Sequence, residues 1–317
     1  MGGTEPTERP PGRRSHRALA VVALVVALVV VLATLAACSS GGSGKASGPT
    51  STTTTGPTGA TAAATGASAV PRGASYVALG SSFAAGPGIP AQEADCGRSD
   101  HNYPSLVAAT LSLALVDESC SGATTANILD TPQGARPPQI DAVTAATRLV
   151  TVTVGGNDIG YSAAAIACGG ASPSAHCTQQ FRTARTAGDI AALPARLDAV
   201  LRAISRRAPR AVVVVVTYAR VVPAGAPCPL LDLAPADARY VQSLGATLER
   251  DLVAAAGRGH ARIADPYVRA AGHGPCATAA ARWVEGFRPR SAGYPFHPNA
   301  NGHLEMARLV TAAVRSA

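Results

Sequence analysis

Apolar runs of two different lengths alternate along the chain from about residue 73 onward. Short runs rich in Val, Ala and Leu predict five strands, at residues 75–79, 114–118, 148–154, 211–217 and 262–264. Longer segments, with apolar residues every three or four positions, predict helices at 103–114, 189–205, 235–256 and 300–314. The valine run at 211–217 does not alternate, which is typical of a parallel strand buried on both faces. Strands that alternate with helices predict one doubly wound α/β domain with a mostly parallel five-stranded sheet.

The pattern at the N-terminus is that of a secretory signal. Arg13-Arg14-Ser15-His16-Arg17 precede an apolar run from Ala18 to Thr34, and Leu35-Ala36-Ala37-Cys38 follow it. This tetrapeptide resembles a bacterial lipobox, so residues 1–37 are predicted to be a lipoprotein signal peptide and Cys38 the lipidation site. An uncleaved membrane anchor is the alternative, because about 17–25 apolar residues can span a bilayer. In both cases the body of the protein is expected outside the cytoplasm, held at the membrane or secreted.

Residues 38–72 are predicted to form a flexible linker. They are mainly Ser, Thr, Gly, Ala and Pro, a composition that cannot bury apolar surface. The folded domain is therefore expected to span residues 73–317.

Composition and charge exclude some classes of partner. The 317 residues are 47% hydrophobic, which is enough for a sizeable core, and the formal net charge is +8. Part of that charge belongs to the N-terminal segment, and the other arginines are scattered without aromatic residues between them. The charge therefore indicates a solvated surface, and no nucleic-acid partner is expected. A monomer is expected.

The cysteine content agrees with export. The chain has seven cysteines, and six remain once Cys38 is set aside. An even number in an exported chain indicates disulfides, and no two cysteines have the Cys-x-x-Cys spacing of a zinc site. Fifteen pairings of six cysteines are possible. The sequential pairing is the one predicted here: Cys96–Cys120, Cys168–Cys177 and Cys228–Cys276.

Candidate active-site residues follow three of the predicted strands. Ser82 comes after the first strand, Gly122 after the second, and Asn157 after the third. His297 precedes the last helix. The binding crevice of a parallel α/β sheet lies at the carboxyl ends of its strands, so these four residues can meet at one edge.

The four segments resemble the SGNH (GDSL-type) hydrolase family, especially secreted actinobacterial lipases and esterases. The matching blocks, in the family's order over about residues 74–316, are Gly80-Ser81-Ser82-Phe83, Ser121-Gly122-Ala123, Gly155-Gly156-Asn157-Asp158 and His297-Pro298-Asn299. The resemblance implies a flavodoxin-like three-layer α/β/α sandwich. It also implies Ser82 as nucleophile, His297 as general base, and an oxyanion hole from the N–H groups of Ser82 and Gly122 and the side chain of Asn157.

Two positions depart from the family pattern. The family usually has Asp before the nucleophile, where this chain has Ser81, and Asp three residues before the histidine, where it has Tyr294. The second change removes the carboxylate that orients the imidazole. Because some family members use a backbone carbonyl instead, the carbonyl of Tyr294 is predicted to accept from Nδ1–H of His297. Asp265, at the end of the fifth strand, is the alternative.

The expected function is that of an exported serine esterase or lipase that cleaves acyl esters of small molecules or lipids through a Ser–His dyad. No cofactor and no metal are implied. Deacetylation of cell-wall carbohydrate and phospholipid hydrolysis remain open within the same fold. The alternative from another class is a non-catalytic surface lipoprotein that keeps the fold; only Ser81 and Tyr294 favour it.

Overall fold

The structure is a computed structural model that describes residues 70–93, 95–170, 177–225 and 228–316. The predicted signal peptide, Cys38 and the linker up to residue 69 lie outside the described residues. Val70, at the end of the predicted linker, is 4% exposed and packs against the domain. In the described ranges no helix is both long enough and apolar enough to cross a bilayer.

The elements follow one another in an alternating order. The strands are β1 (Ser75–Gly80), β2 (Gln92–Glu93), β3 (Arg98–Ser99), β4 (Ala114–Asp117), β5 (Leu149–Thr153), β6 (Val212–Val216) and β7 (Arg262–Ala264). The helices are α1 (Ser82–Ala85), α2 (Tyr103–Leu111), α3 (Thr125–Leu129), α4 (Tyr161–Cys168), α5 (Ala184–Arg207), α6 (Pro235–Arg258), α7 (Pro266–Arg269) and α8 (Ala300–Arg315).

Five strands form one parallel sheet in the order β4-β1-β5-β6-β7, as the sequence predicts. The strand order reverses at β1, because the chain crosses from β1 to β4 on one side and later adds β5 on the other. Such a switch point is where parallel α/β sheets form their ligand crevice. The loops after β1, β4 and β5 therefore meet at one end of the sheet. The pair β2–β3 is a separate antiparallel hairpin.

Helices cover both faces of the sheet, which makes the three layers that the resemblance implies. Along β1, Val77 and Leu79 point to a core shared with α3, α4, α5 and α6. Tyr76 and Ala78 point to the opposite core, shared with α2 and α8. Alternate side chains of one strand thus enter two cores, which explains why β1 and β5 are buried along almost their whole length.

The short elements were not predicted. Helices α1, α3 and α7 have only four or five residues, too few for a periodic pattern. Helix α4 lies in a segment for which no element is predicted, because its run of small apolar residues has no distinct polar face. Helix α5 begins at Ala184, earlier than predicted, since Thr183 caps it through the N–H of Thr186.

The three predicted disulfides are present. Cys96 pairs with Cys120, Cys168 with Cys177, and Cys228 with Cys276. The first bond joins the β2–β3 hairpin to the loop that follows β4, where Gly122 lies.

Candidate active site

Ser82 is the first residue of α1 and directly follows the end of β1. Ser81 is the N-cap of this helix, and its N–H donates to the carbonyl of Thr153 at the end of β5. The turn is therefore held against the neighbouring strand. An N–H in the first turn of a helix has no intrahelical acceptor, so the N–H of Ser82 is one of the free donors of this turn. The residue is 6% exposed.

His297 lies opposite Ser82, although 215 residues separate them in sequence. Its Nε2 is 2.8 Å from Oγ of Ser82, and its Nδ1 is 2.7 Å from the carbonyl oxygen of Pro295. A carbonyl can only accept, so Nδ1 carries the proton and Nε2 is free to accept from the serine hydroxyl. Burial lowers the pKa of His297 to about 4, opposed by the hydrogen bond to Pro295. The imidazole is therefore neutral at neutral pH.

The predicted role of the Tyr294 carbonyl is wrong, because the carbonyl of Pro295 takes it. Tyr294 O accepts instead from the backbone N–H of His297, at 3.1 Å, and closes a β-turn. Proline at the second position and a positive φ of 56° at the third, Phe296, are the pattern of a type II turn. The turn directs the Pro295 carbonyl towards the imidazole. The dipeptide Tyr294-Pro295, which begins three residues before the histidine, is the sequence signal of this turn.

Asp265, the alternative partner of His297, has another role. Its Oδ1 accepts from the N–H of Val268 and from the hydroxyl of Thr217, both at 3.0 Å. It is thus the N-cap of α7 and does not bond to His297.

Gly122 lies in the loop after β4, which is tied down on both sides. The disulfide to Cys96 holds Cys120, and the N–H of Ser121 donates to the carbonyl of Cys96 at 3.0 Å. The side chain of Gln133 donates to the carbonyl of Ser121 at 2.7 Å. Gly122 itself has φ +85°, a conformation that side chains other than glycine's rarely adopt.

Asn157 follows β5, and its side chain reaches the glycine loop. Its Nδ2 donates to the carbonyl of Ala123 at 2.9 Å. An amide NH₂ has two donors, so one N–H is left for another acceptor. The adjacent Asp158 accepts from the backbone N–H of Thr125 at 3.0 Å, and so joins this loop to the start of α3.

These four residues line one open cleft of about 450 Å³. The other lining residues include apolar ones, among them Pro87, Ile166 and Tyr294. The ring of Tyr294 is 47% exposed and meets the imidazole of His297 edge-on at 5.3 Å between centroids. The cleft is large enough for a small ester or part of a lipid chain.

Glu285 was missed by the sequence analysis and clamps the loop that carries His297. Its carboxylate, fully buried, accepts from the side chains of Ser291 and Asn299 and from the N–H of Arg290. Its backbone N–H donates to the carbonyl of His297 at 3.0 Å. No sequence pattern marks this glutamate, because its partners lie 5 to 14 residues further along a loop without regular secondary structure. Among the described residues, no group of three or more His, Cys, Asp or Glu side chains could hold a metal ion.

The chain is similar to known lipases in sequence and fold. The model of the GDSL-like lipase/acylhydrolase family matches residues 78–304. Lipase 2 of Streptomyces coelicolor is 35% identical over 237 residues, which cover 71% of this chain and 80% of that protein. The crystal structure of an extracellular lipase from Streptomyces rimosus superposes with a TM-score of 0.63 at 30% identity, covering 76% of this chain and 99% of that one. Phospholipase A1 from Streptomyces albidoflavus gives the same TM-score and coverage at 27% identity.

The matched residues contain all four blocks and end within α8. The two crystal structures share the fold of this chain. The chain therefore belongs to the GDSL-like lipase/acylhydrolase family and is a carboxylic ester hydrolase.

Proposed function

We propose that the chain hydrolyses acyl esters through a Ser82–His297 dyad that has a backbone carbonyl in place of a triad carboxylate. The observation that carries the proposal is the chain of two hydrogen bonds from Ser82 Oγ to His297 Nε2 and from His297 Nδ1 to the Pro295 carbonyl, at 2.8 and 2.7 Å. A serine hydroxyl is a weak nucleophile until a base within hydrogen-bond reach removes its proton.

The reaction proceeds in two halves. Ser82 Oγ attacks the ester carbonyl while Nε2 of His297 takes its proton, and the tetrahedral intermediate forms. The protonated Nε2 then gives the proton to the leaving alcohol, which leaves an acyl group on Ser82. In the second half, water attacks the acyl carbon while Nε2 of His297 takes a proton from it. Nε2 then returns that proton to Oγ of Ser82 as the bond between Oγ and the acyl carbon breaks, which releases the acid and regenerates the serine.

We assign three donors to the oxyanion. They are the N–H groups of Ser82 and Gly122 and the N–H of Asn157 that Ala123 does not engage. Loss of one such donor typically costs about 2.7–4 kcal/mol of transition-state stabilisation. Asn157→Ala should therefore lower kcat by about 10²–10³-fold.

The direct test is hydrolysis of p-nitrophenyl esters with short, medium and long acyl chains. Ser82→Ala should lower kcat by about 10⁴-fold or more. Ser99→Ala is the matched control, since Ser99 is also buried but its hydroxyl bonds to the carbonyl of Pro90, away from the cleft. Ester hydrolysis that persists in Ser82→Ala would contradict the proposal.

Uncharged esters of short or medium acyl chains are the proposed substrates. The cleft has apolar walls that can contact an acyl chain, and it is open, so it does not restrict the substrate to a small acyl group. One relative bears the name phospholipase A1, so a phospholipid acyl ester is the second candidate. Activity against acetylated cell-wall carbohydrate would favour a third substrate class within the same fold.

We also propose that the protein acts outside the cytoplasm, anchored through Cys38. The N-terminal pattern at 1–37, the three disulfides and the extracellular relative from Streptomyces rimosus support export. Metabolic labelling with radioactive palmitate should mark the wild type. Cys38→Ser should abolish the label, and a label retained in that variant would exclude lipidation at Cys38.

A further inference from the structure

Tyr218 lies behind the cleft, two residues after the end of β6. It is 2% exposed and belongs to the core under α5 and α6. The family resemblance assigns it no role, since it is in none of the four blocks. Its hydroxyl nevertheless contacts two of them.

The hydroxyl of Tyr218 joins the segments that carry the nucleophile and the oxyanion amide. It accepts from the backbone N–H of Gly156 at 3.2 Å, and it lies 2.8 Å from Oγ of Ser81. Ser81 directly precedes Ser82, and Gly156 directly precedes Asn157. One oxygen atom therefore links two loops that leave neighbouring strands of the sheet.

The ring of Tyr218 reinforces this link. It packs against Phe83 with 4.5 Å between centroids, and Phe83 packs against the imidazole of His297 at 4.8 Å. A Cβ at position 156 would lie 2.7 Å from a ring carbon of Tyr218, so only glycine lets the loop come this close. Tyr218 therefore contacts the nucleophile turn and the asparagine loop directly, and it contacts His297 through Phe83.

We propose that Tyr218 is a positioning residue that holds the nucleophile turn and the asparagine loop in register for ester hydrolysis. The inference rests on the proposed function, because it assumes that Ser82 and Asn157 act together on the substrate. At Ser81, where the family usually has Asp, the side chain keeps a hydrogen bond to the hydroxyl of Tyr218.

The first test is Tyr218→Phe, which keeps the ring and removes the hydroxyl. Small errors in the position of a reacting group cost up to about 100-fold in rate, so kcat should fall by about 10–100-fold with KM changed by less than about threefold. Tyr161→Phe is the matched control: Tyr161 is also fully buried, and its hydroxyl accepts from the N–H of Val221, likewise at 3.2 Å. The control should lose similar stability but keep its kcat within about threefold.

The second test is a double-mutant cycle with Asn157→Ala. If Tyr218 acts by positioning Asn157, its loss matters less once the amide is gone. The double variant should then lose clearly less activity than the product of the two single losses. Ser81→Ala removes the other partner of the Tyr218 hydroxyl, and its loss of kcat should also be less than additive with that of Tyr218→Phe. If Tyr218→Phe does not fold, the kcat of Ser81→Ala alone is the test.

The outcomes separate the two proposals. A wild type that does not hydrolyse esters, or an active Ser82→Ala variant, overturns the proposed function. Two results would overturn only the positioning role, provided that hydrolysis by the wild type depends on Ser82. One is a kcat of Tyr218→Phe equal to that of Tyr161→Phe, and the other is a double variant with Asn157→Ala whose loss of kcat equals the product of the two single losses. A selective kcat loss with non-additive cycles supports it.

Discussion

At the scale of single residues, the imidazole of His297 has a polar partner on each side, and neither is charged. A carboxylate partner would favour the protonated ring and raise its pKa. Here burial dominates and lowers the pKa of His297 to about 4, while the Pro295 carbonyl raises it to a lesser extent. The proposed base should thus stay neutral, and able to accept a proton, down to a lower pH than an ordinary histidine.

This environment predicts an acid-shifted pH profile. The ring is active as a base only when neutral, and its neutral fraction increases as the pH rises through about 4. kcat/KM should therefore reach its plateau well below pH 6.5 and stay level through neutral pH. The measurement is kcat/KM against pH, with circular dichroism on the same samples to confirm that the protein remains folded. A midpoint near 6.5 would contradict the buried, carbonyl-supported ring.

Which residues of the site can be recognised from sequence depends on how local their signal is. Ser82, Gly122 and Asn157 each follow a strand within a few residues, so strand prediction and block spacing locate them together. The partner of Nδ1 of His297 is set by the turn at Pro295 and Phe296. Phe296 has a positive φ, which is unusual for a bulky side chain and is not indicated by the sequence. Tyr218 contacts the site only after distant segments pack, and Glu285 contacts it through an irregular loop, so no spacing rule indicates either residue.

At the scale of elements, the long helices and the central strands can be predicted from the sequence. The helices carry apolar residues at every third or fourth position over several turns, and the strands are short runs rich in Val, Ala and Leu. The short turns cannot be predicted in this way, and they hold the site: α1 has four residues, and the histidine loop between Arg282 and Asn299 has no regular element. Their geometry comes from buried polar contacts such as those of Glu285. Function therefore rests on the least predictable part of the fold.

His303 shows how one buried side chain connects two elements. It lies on α8, is fully buried, and its Nδ1 accepts from the N–H of Tyr103, the first residue of α2. Burial and, to a lesser extent, the nearby His297 lower its pKa to about 3. The neutral ring thus caps α2 from a helix 200 residues away.

The depressed pKa of His303 predicts a specific loss of stability in acid. The unfolded chain binds this proton below about pH 6.5 and the folded chain only near 3, so its stabilising contribution is complete above 6.5 and falls as the pH drops between them. From pH 7 to pH 5 it should cost about 2 kcal/mol. His303→Gln should be less stable than the wild type at pH 7 but should lose less on acidification. Urea unfolding at both pH values measures this, and equal losses in the two proteins would contradict it.

At the scale of the whole molecule, two of the disulfides differ in whether they hold the candidate site as well as stabilise the fold. Cys228–Cys276 closes the longest interval, 48 residues, and Cys96–Cys120 closes 24. By the loop-entropy relation each should stabilise the fold by about 3–4 kcal/mol. Only the second of these bonds anchors the loop of Gly122, beside Ser82.

Paired replacement of cysteines by serine should therefore separate activity from stability. Both Cys96→Ser/Cys120→Ser and Cys228→Ser/Cys276→Ser should lower the midpoint of thermal unfolding. At a temperature where both variants are folded, the first should also lose kcat by about 10-fold or more, because the loop of Gly122, a proposed oxyanion donor, is released. Equal kcat in the two variants would show that the disulfide does not hold the loop.

The central claim is that Ser82 is a nucleophile activated by His297 without a carboxylate. Reaction with a fluorophosphonate ester, followed by peptide mapping, tests it most directly. Stoichiometric modification of Ser82 in the wild type is predicted, slowed by about 10³-fold or more in His297→Ala and abolished in Ser82→Ala. Modification at another residue, or ester hydrolysis by a protein whose Ser82 stays unmodified, would contradict the account.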